Sequence, residues 1–473
     1  MKKITMKQFK TTVIGLLLLA GLVQSCKVTR DYARPELNLP QSFGGDVTSS
    51  VGDSIKEIPD YSAFFRNEEL TRLIDSVIKN NYDLQIATEN LLASQASLRS
   101  VKLNYLPDLN LQLNAGFQRL SKNSMTGTFV DNLLYEDYTL GPTVSWEVDF
   151  WGKLKRQREE AVADFLGQKE IKRALLVQLI AQTATAYYNL LNLNEQLSIT
   201  EKVEQLMANT LEILQTQYRV GDVNMLAIKQ AEAQLSETRA LIPEIKASIK
   251  AQENALQALS GNYPGTVSLT GKLDETAFNS SLLRTGIPAD LLANRPDVKQ
   301  NELLLQAADA RVGIAKTSFY PTINITGQGG FNSIRASDWL AIPASLFGNA
   351  TAGLTQPLFN RRKIKSAYEQ AIHYREAAVH SFRKSVVTAV EEVSSALSNI
   401  KYTEEQAVEV KNRKTAMQNA IDDAQMLYTY GDANYLEVLT VQQSYLQTEM
   451  AHSAIHFKEK TAYITLYKSL GGN

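Results

Sequence analysis

The sequence predicts an α+β membrane protein with an internal two-fold structural repeat, built from long antiparallel helical hairpins and four β-strands per chain. Two long proline-free runs rich in helix formers extend from Trp151 to about Tyr218 and from Arg361 to Tyr430. Four short segments alternate apolar and polar residues with the period of two that is typical of strands. Both kinds of segment occur twice in the same order, at a spacing far above that of solenoid repeats. The repeated unit is therefore the size of a domain.

The N-terminus has the pattern of a secretory signal peptide. Lysines within the first ten residues precede the apolar segment "VIGLLLLAGLV", and "VQSC" follows it. We expect residues 1–25 to be removed and Cys26, the only cysteine, to become the acylated first residue of a lipoprotein. The alternative is an ordinary signal peptide with an incidental cysteine. An acyl anchor attaches a chain to a membrane without spanning it.

The composition limits the class of protein. The 49 basic and 50 acidic residues give a formal net charge of -1. This balance argues against a nucleic-acid-binding protein with a broad basic face. After the signal peptide, no apolar run of roughly 18 residues predicts a transmembrane helix, although the strands of a β-barrel give a much weaker signal.

The alternating segments predict two strands in each repeat. They are "LNLQLNAGF" from Leu109, "LGPTVSWEVDF" from Leu140, "TINITGQGGF" from Thr322 and, more weakly, "ATAGLTQPLF" from Ala350. Four strands cannot close a barrel, since bacterial examples begin at about eight, and an open sheet in lipid would leave unpaired edges. Either the sheet is soluble or several chains share one barrel; three chains of four strands would supply about 12.

The motif "YRVGDVN" and its counterpart "YTYGDAN" end the two long helices, 210 positions apart from Tyr218 to Tyr428. Gly221 and Gly431 can take the positive φ that ends a helix. Asp222 and Asp432, or the asparagine two positions after each, can cap the helix that returns. The motif therefore predicts a hairpin tip. It lies at the far end of a helix roughly 100 Å long at about 1.5 Å per residue.

The repeat extends beyond the tips. The segment "DLQIATENLLASQASLRSVKLNYLPDLNLQLNAGF" from Asp83 aligns without a gap with "DVKQNELLLQAADARVGIAKTSFYPTINITGQGGF" from Asp297, 214 positions later. The aligned pairs include Pro107 with Pro321, just before the first strand of each repeat.

Two polar groups have simple interpretations. The sequence "RPD" at Arg295 predicts the start of a helix, because proline suits the first helical position and an acid suits the helix dipole. His452 and His456 are four apart, but neither a third ligand nor an HExxH motif accompanies them. The sequence also lacks a Gly-rich phosphate loop and a nucleophile elbow. It therefore predicts no enzyme, cofactor or metal site.

The chain resembles the TolC-like outer-membrane efflux channels, and among them the lipoprotein branch that serves RND-type tripartite drug-efflux pumps. Three segments carry the resemblance: "IPADLLANRPDVKQNELLLQAADARVGIAKTSFYPTI" from Ile287, "SWEVDFWGKLKRQREEA" from Ser145, and the tip motif "YRVGDVN". The resemblance covers nearly the whole chain after the signal peptide.

The resemblance implies a homotrimer that conducts exported small molecules passively from the periplasm to the exterior. A shared 12-strand β-barrel would cross the outer membrane and contact its lipid, and a 12-helix α-barrel would cross the periplasm. The inner-membrane RND-type transporter would supply the energy. A periplasmic adaptor would dock at the tips, on Gly221, Asp222, Gly431 and Asp432. The alternative, drawn from the residues alone, is a lipid-anchored periplasmic coiled-coil scaffold without a pore.

The resemblance also implies a constriction just after the second tip. Its first acidic position corresponds to Glu437, and its second to Thr440, where this chain departs from the pattern. Three Glu437 carboxylates around a narrow axis would attract cations. The simpler alternative is a solvent-facing glutamate, in which case an apolar ring of Leu436 or Leu439 would form the gate.

Together these expectations divide the chain into five parts. They are the signal peptide (1–25), a lipid-anchored strap (26–63), the first repeat (64–262), an equatorial linker (263–287), and the second repeat with its C-terminal tail (288–473).

Overall fold

The computed structural model describes residues 31–40, 43, 59–125, 128–129, 134–273, 278 and 294–472. Cys26 and the predicted signal peptide lie outside the described residues, so cleavage and acylation remain predictions. Parts of the predicted strap and linker also lie outside them. The five predicted boundaries likewise remain predictions.

The described residues contain α-helices of very unequal length. In chain order they are α1 (Tyr61–Phe65), α2 (Glu68–Asn80), α3 (Tyr82–Leu103), α4 (Lys153–Val220), α5 (Met225–Leu259), α6 (Pro296–Thr317), α7 (Lys363–Tyr430) and α8 (Tyr435–Ser469). A short 3₁₀ turn covers Ala336–Asp338. No described helix is both long enough and apolar enough to cross a bilayer.

The order and lengths of these elements confirm the internal repeat. The helices α3 and α6 each have 22 residues, and α4 and α7 each have 68. The returning helices α5 and α8 each have 35 residues. A pair of strands follows α3 and another follows α6. We name the α4–α5 pair hairpin 1 and the α7–α8 pair hairpin 2.

The strands form one antiparallel sheet in the order β1-β2-β3-β4. Their bounds are Asp108–Arg119, Leu134–Glu147, Thr322–Ser333 and Leu346–Thr355. Strand β2 begins earlier than its alternating pattern, because it pairs with β1 along the whole length from Asp108↔Ser145 to Arg119↔Leu134. Strand β4 also begins before its pattern and ends just ahead of Pro357, which has no N–H to donate.

Both faces of β1 are exposed in the single chain. Leu109, Leu111 and Leu113 stand on one face and are each more than 60% exposed, while Asn110 and Gln112 lie on the other because side chains alternate along a strand. A sheet with one apolar and one polar face suits contact with lipid on one side and water on the other.

Residues of the chain cluster into two compact units. One contains Leu92–Leu166 and Glu302–Ser381 together with the described residues 31–35, and so holds the sheet. The other contains Glu36–Leu91, Gly167–Asn301 and Phe382–Asn473, and so holds both hairpin tips.

Apolar side chains join the two hairpins within the second unit. Val203 and Met207 of α4 pack with Leu235 of α5 and Leu446 of α8, and each is at most 4% exposed. Shared burial of this kind stabilises the long helices, because isolated helices in water gain little stability from propensity alone.

Glu69 of α2 holds the described start of the predicted linker. Its carboxylate accepts hydrogen bonds from Thr270 N at 2.9 Å, Gly271 N at 3.3 Å and the Tyr187 hydroxyl at 2.8 Å. Burial raises the pKa of Glu69, but these donors outweigh it and hold the pKa below its ordinary value. An ionised side chain therefore fixes the described start of the linker at Thr270 and Gly271.

Candidate functional site

Each long helix ends in a glycine with positive φ, as the tip motif predicts. Gly221 has φ +90° and Gly431 has φ +83°. At the first tip, Gly221 N donates to Tyr218 O at 3.1 Å and Asp222 N donates to Gln217 O at 3.0 Å. At the second tip, Gly431 N donates to Tyr428 O at 3.2 Å and Asp432 N donates to Leu427 O at 2.9 Å. This pair of bonds is the Schellman motif, which satisfies the last carbonyls of a helix.

Asparagine caps the helix that returns from each tip. The Oδ1 of Asn224 accepts from Ala227 N at 3.2 Å, and that of Asn434 accepts from Leu436 N at 2.9 Å and Glu437 N at 3.1 Å. The sequence left Asp or Asn open for this role, and the structure assigns it to Asn at both tips. Satisfying these amides stabilises the start of a helix by about 1 kcal/mol.

Glu437 completes a capping box at the second tip alone. Its Oε2 accepts from Asn434 N at 3.0 Å, while Asn434 caps Glu437 N in return. The matching position of the first tip is Ala227, which is fully buried. The carboxylate predicted to line a constriction is thus also a local structural group, and its negative charge stands at the positive end of α8.

The two tips pack against each other through a small apolar cluster. Leu214 of α4, Ala227 and Ala231 of α5, and Leu439 of α8 are each at most 4% exposed. The Tyr428 hydroxyl of α7 donates to Gln217 Oε1 of α4, and burial raises the pKa of Tyr428. The tips of hairpins 1 and 2 therefore form one surface.

The structure separates the predicted gate residues into two groups. Leu439 is 4% exposed and lies in the cluster between the hairpins, and its carbonyl accepts from Gln234 Nε2 at 2.9 Å. Leu436 is 52% exposed, and Glu437 and Thr440 are exposed in the chain as well. Of the two apolar alternatives, Leu436 is thus the one with a free surface. The gate itself remains a prediction.

Exposed apolar residues lie close to both tip glycines in the sequence. Val220 and Leu226 flank Gly221, and Tyr430 and Leu436 flank Gly431, with exposed fractions between 52% and 78%. A Cβ added to either glycine would meet no atom within 4 Å. Exposed apolar groups around an open backbone are typical of a contact surface.

Arg295 has a role that the sequence analysis missed. Its side chain is only 7% exposed. It forms ion pairs with Asp297 at 2.7 Å and Glu392 at 2.6 Å, and Nη1 donates to Ser469 O at 2.9 Å. The helix start at Pro296 is as predicted. The same arginine also ties that start to α7 and to the end of α8, 174 positions away.

The part of the chain that the structure describes holds no group of three or more His, Cys, Asp or Glu side chains arranged for a metal ion. His452 and His456 do lie together, with 3.2 Å between their Nε2 atoms. They form part of a polar chain within hairpin 2 rather than a metal centre with three ligands.

Comparisons with known proteins agree with this architecture. A family model described as "Outer membrane efflux protein" matches residues 73–262 and 287–472. The cation efflux system protein CusC of Escherichia coli (strain K12) is 27% identical over 455 residues, which cover 94% of this chain and 96% of CusC. SilC of Salmonella typhimurium, a probable outer membrane lipoprotein, is 26% identical over 464 residues and 98% of each chain.

A solved structure shares the fold. The open state of the Neisseria gonorrhoeae MtrE outer membrane channel matches with a TM-score of 0.83 and covers 94% of this chain and 98% of MtrE. Their sequences are 22% identical, so this likeness concerns the fold alone.

Proposed function

The chain belongs to the outer membrane efflux protein family, and from that premise we propose that three copies form the outer-membrane channel of a tripartite efflux system. Location in the outer membrane and a role in efflux are properties of the family. The finer points are our proposal: the homotrimer, passive conduction, an RND-type inner-membrane transporter, a periplasmic adaptor, and the lipid anchor.

The unpaired edges of the sheet are the single observation that supports a trimer. The sheet has the order β1-β2-β3-β4, so among the described residues β1 and β4 each lack a partner strand on one side. In lipid, an unpaired strand edge leaves N–H and C=O groups without hydrogen bonds, and this costs several kcal/mol per group. Pairing β4 of one copy with β1 of the next removes every edge once the ring closes. Three copies give about 12 strands, within the size range of bacterial barrels.

The family match favours this channel over the pore-free scaffold that the sequence alone left open. The scaffold would need the apolar face of β1 to pack against a core. Within the part of the chain described by the structure, that face is exposed. A lipid-facing barrel accounts for the exposure, whereas a soluble sheet does not.

The channel is tested by reconstituting the purified protein. We expect native mass spectrometry in detergent to give three times the mass of the chain, and planar bilayers to show single-channel currents. A monomer that is soluble without detergent and produces no current would overturn both the trimer and the pore.

The same recordings test the predicted gate. We expect Glu437→Gln to weaken block by multivalent cations and to reduce cation preference, because it removes one negative charge per chain from a narrow axis. Glutamine can also occupy the capping-box position, so the cost to the helix is small.

Two control variants separate the effect of the Glu437 charge from the effect of a weakened helix cap. Asn434→Ala removes the helix cap at a cost of about 1 kcal/mol but keeps the Glu437 charge. Glu237→Gln removes an exposed charge from α5 of hairpin 1. If Glu437→Gln and Glu237→Gln leave cation block and selectivity equally unchanged, Glu437 does not line the constriction.

We also propose that Cys26 is the acylated mature N-terminus. The motif "VQSC" supports this, as does the description of the relative SilC as a probable lipoprotein. Mass spectrometry of the mature protein should find a lipid-modified chain that begins at Cys26. Cys26→Ser should weaken membrane retention more than barrel insertion, because the barrel anchors the chain independently. An unmodified chain that begins elsewhere would contradict the proposal.

A further inference from the structure

A chain of polar side chains crosses hairpin 2 from α7 to α8. Lys414 of α7 forms an ion pair with Glu449 of α8 at 3.3 Å, and its Nζ lies 3.3 Å from His452 Nδ1. The Nε2 atoms of His452 and His456 are 3.2 Å apart. His456 Nδ1 then lies 3.1 Å from Glu459 Oε2. His452 is 9% exposed and Glu449 is 8% exposed, so water reaches the centre of this chain poorly.

One proton arrangement satisfies the three contacts that involve the two imidazoles and are given above. The Lys414 ammonium has only hydrogens to offer, so His452 Nδ1 is the acceptor. The proton of neutral His452 is then on Nε2 and is donated to His456 Nε2. Neutral His456 consequently has its own proton on Nδ1 and donates it to the Glu459 carboxylate. All three hydrogen bonds therefore form when both imidazoles are neutral.

A second proton on either ring breaks this arrangement. An imidazolium has a hydrogen on both nitrogens. On His452 it would set an N–H against the Lys414 ammonium, with two positive charges at 3.3 Å. On His456 it would set an N–H against the N–H of His452 at 3.2 Å. In each case a donor faces a donor, and positive charge increases beside Lys414.

Charged groups near the pair come from three helices. They include Lys414 of α7 and Glu449 and Glu459 of α8. They also include Glu195 of α4, which accepts from the hydroxyl of the neighbouring Ser453 at 3.1 Å. The acids favour a positive ring, whereas Lys414 and burial disfavour it. The rest of the chain's histidines, His373 and His380, are exposed on α7.

We propose that His452 and His456 form an acid-sensitive staple: at neutral pH the hydrogen bond from Lys414 of α7 to His452 of α8 adds to the ion pair between Lys414 and Glu449, and this hydrogen bond is lost when His452 gains a second proton. An unperturbed histidine has a pKa of about 6.5, so release belongs to mildly acidic conditions. Hairpin 2 also contains Glu437. The staple would therefore stabilise the packing of α7 against α8 in the hairpin that holds this residue. The inference goes beyond the proposed function, because the contact can be measured without any conduction.

Hydrogen–deuterium exchange on the full-length protein in detergent tests the staple, with a chelator present throughout. After correction for the intrinsic pH dependence of exchange, we expect peptides from 405–420 and 445–460 to exchange about tenfold faster near pH 5.5 than near pH 8, because a hydrogen bond to a charged group is lost. Peptides from hairpin 1 should show no such change.

Matched variants show whether the change in exchange with pH comes from His452 and His456. In His452→Gln/His456→Gln the side chains still donate and accept but cannot gain a proton, so protection should be the same at both pH values. His373→Gln/His380→Gln removes the exposed pair and should retain the full response. Lys414→Gln removes the facing cation and should reduce the response, even if the double glutamine variant folds poorly.

Several outcomes would overturn the staple. They are an absent acid response in the unmodified protein, a response that survives in His452→Gln/His456→Gln, or one that disappears in His373→Gln/His380→Gln. Without chelator, protection of the same peptides by added Zn²⁺ at neutral pH would instead identify a metal site, provided the double glutamine variant loses it.

Discussion

Replacement of Gly431 by tryptophan should abolish efflux while the trimer still forms. Gly431 is at the exposed end of hairpin 2, with φ +83° and no atom within 4 Å of an added Cβ. An indole therefore finds space within the chain, but it covers the backbone that a docking partner would approach closely. The same reasoning applies to Gly221 at the tip of hairpin 1.

Backbone strain must be separated from obstruction of the partner. Any side chain at positive φ is strained, but asparagine tolerates this region better than most residues. We therefore expect Gly431→Asn to retain most export and Gly431→Trp to lose it, at equal trimer yield. Drug susceptibility of cells that express each variant, and crosslinking to the adaptor, measure the difference. Unchanged export in both tryptophan variants would count against docking at the tips.

Replacement of Arg295 by methionine should destabilise the end of α8 by about 3 kcal/mol. Removing one partner of a buried ion pair costs about 3–5 kcal/mol, and the lower end applies because Asp297 and Glu392 are about 40% exposed. The Ser469 carbonyl, at the negative end of the helix dipole, also loses its cation. Hydrogen exchange in the last turns of α8 should become roughly a hundredfold faster, since about 1.4 kcal/mol is tenfold.

Two further arginine variants make this result interpretable. Arg295→Lys keeps the charge but not the planar fork that reaches Asp297, Glu392 and Ser469 together, so an intermediate effect is expected. Arg383→Met removes an exposed arginine of α7 and should change stability by about 0.5 kcal/mol or less. Equal exchange rates in Arg295→Met and Arg383→Met would show that Arg295 does not stabilise this junction.

Some of the candidate site was visible in the sequence and was still missed. Asn434 and Glu437 have the spacing of a capping box, yet Glu437 was interpreted only as a gate residue or a solvent-facing one. His452 and His456 are four positions apart, a spacing that places two side chains on one face of a helix. Their partner Lys414, 38 positions away on α7, could not be predicted, because only the pairing of two helices determines which residues stand opposite each other.

The sequence by itself determined the local features of this protein. Proline-free runs, strand alternation and the tip glycines depend on backbone preferences within a few residues, and they predicted the helices, the sheet and the turns at Gly221 and Gly431. The tertiary structure decided which side of each helix is covered. Leu436 and Leu439 are equally apolar and three positions apart, but only Leu439 packs between the hairpins. Their burial depends on how α4, α5 and α8 meet, and that geometry arises from contacts between residues about 200 positions apart in the chain.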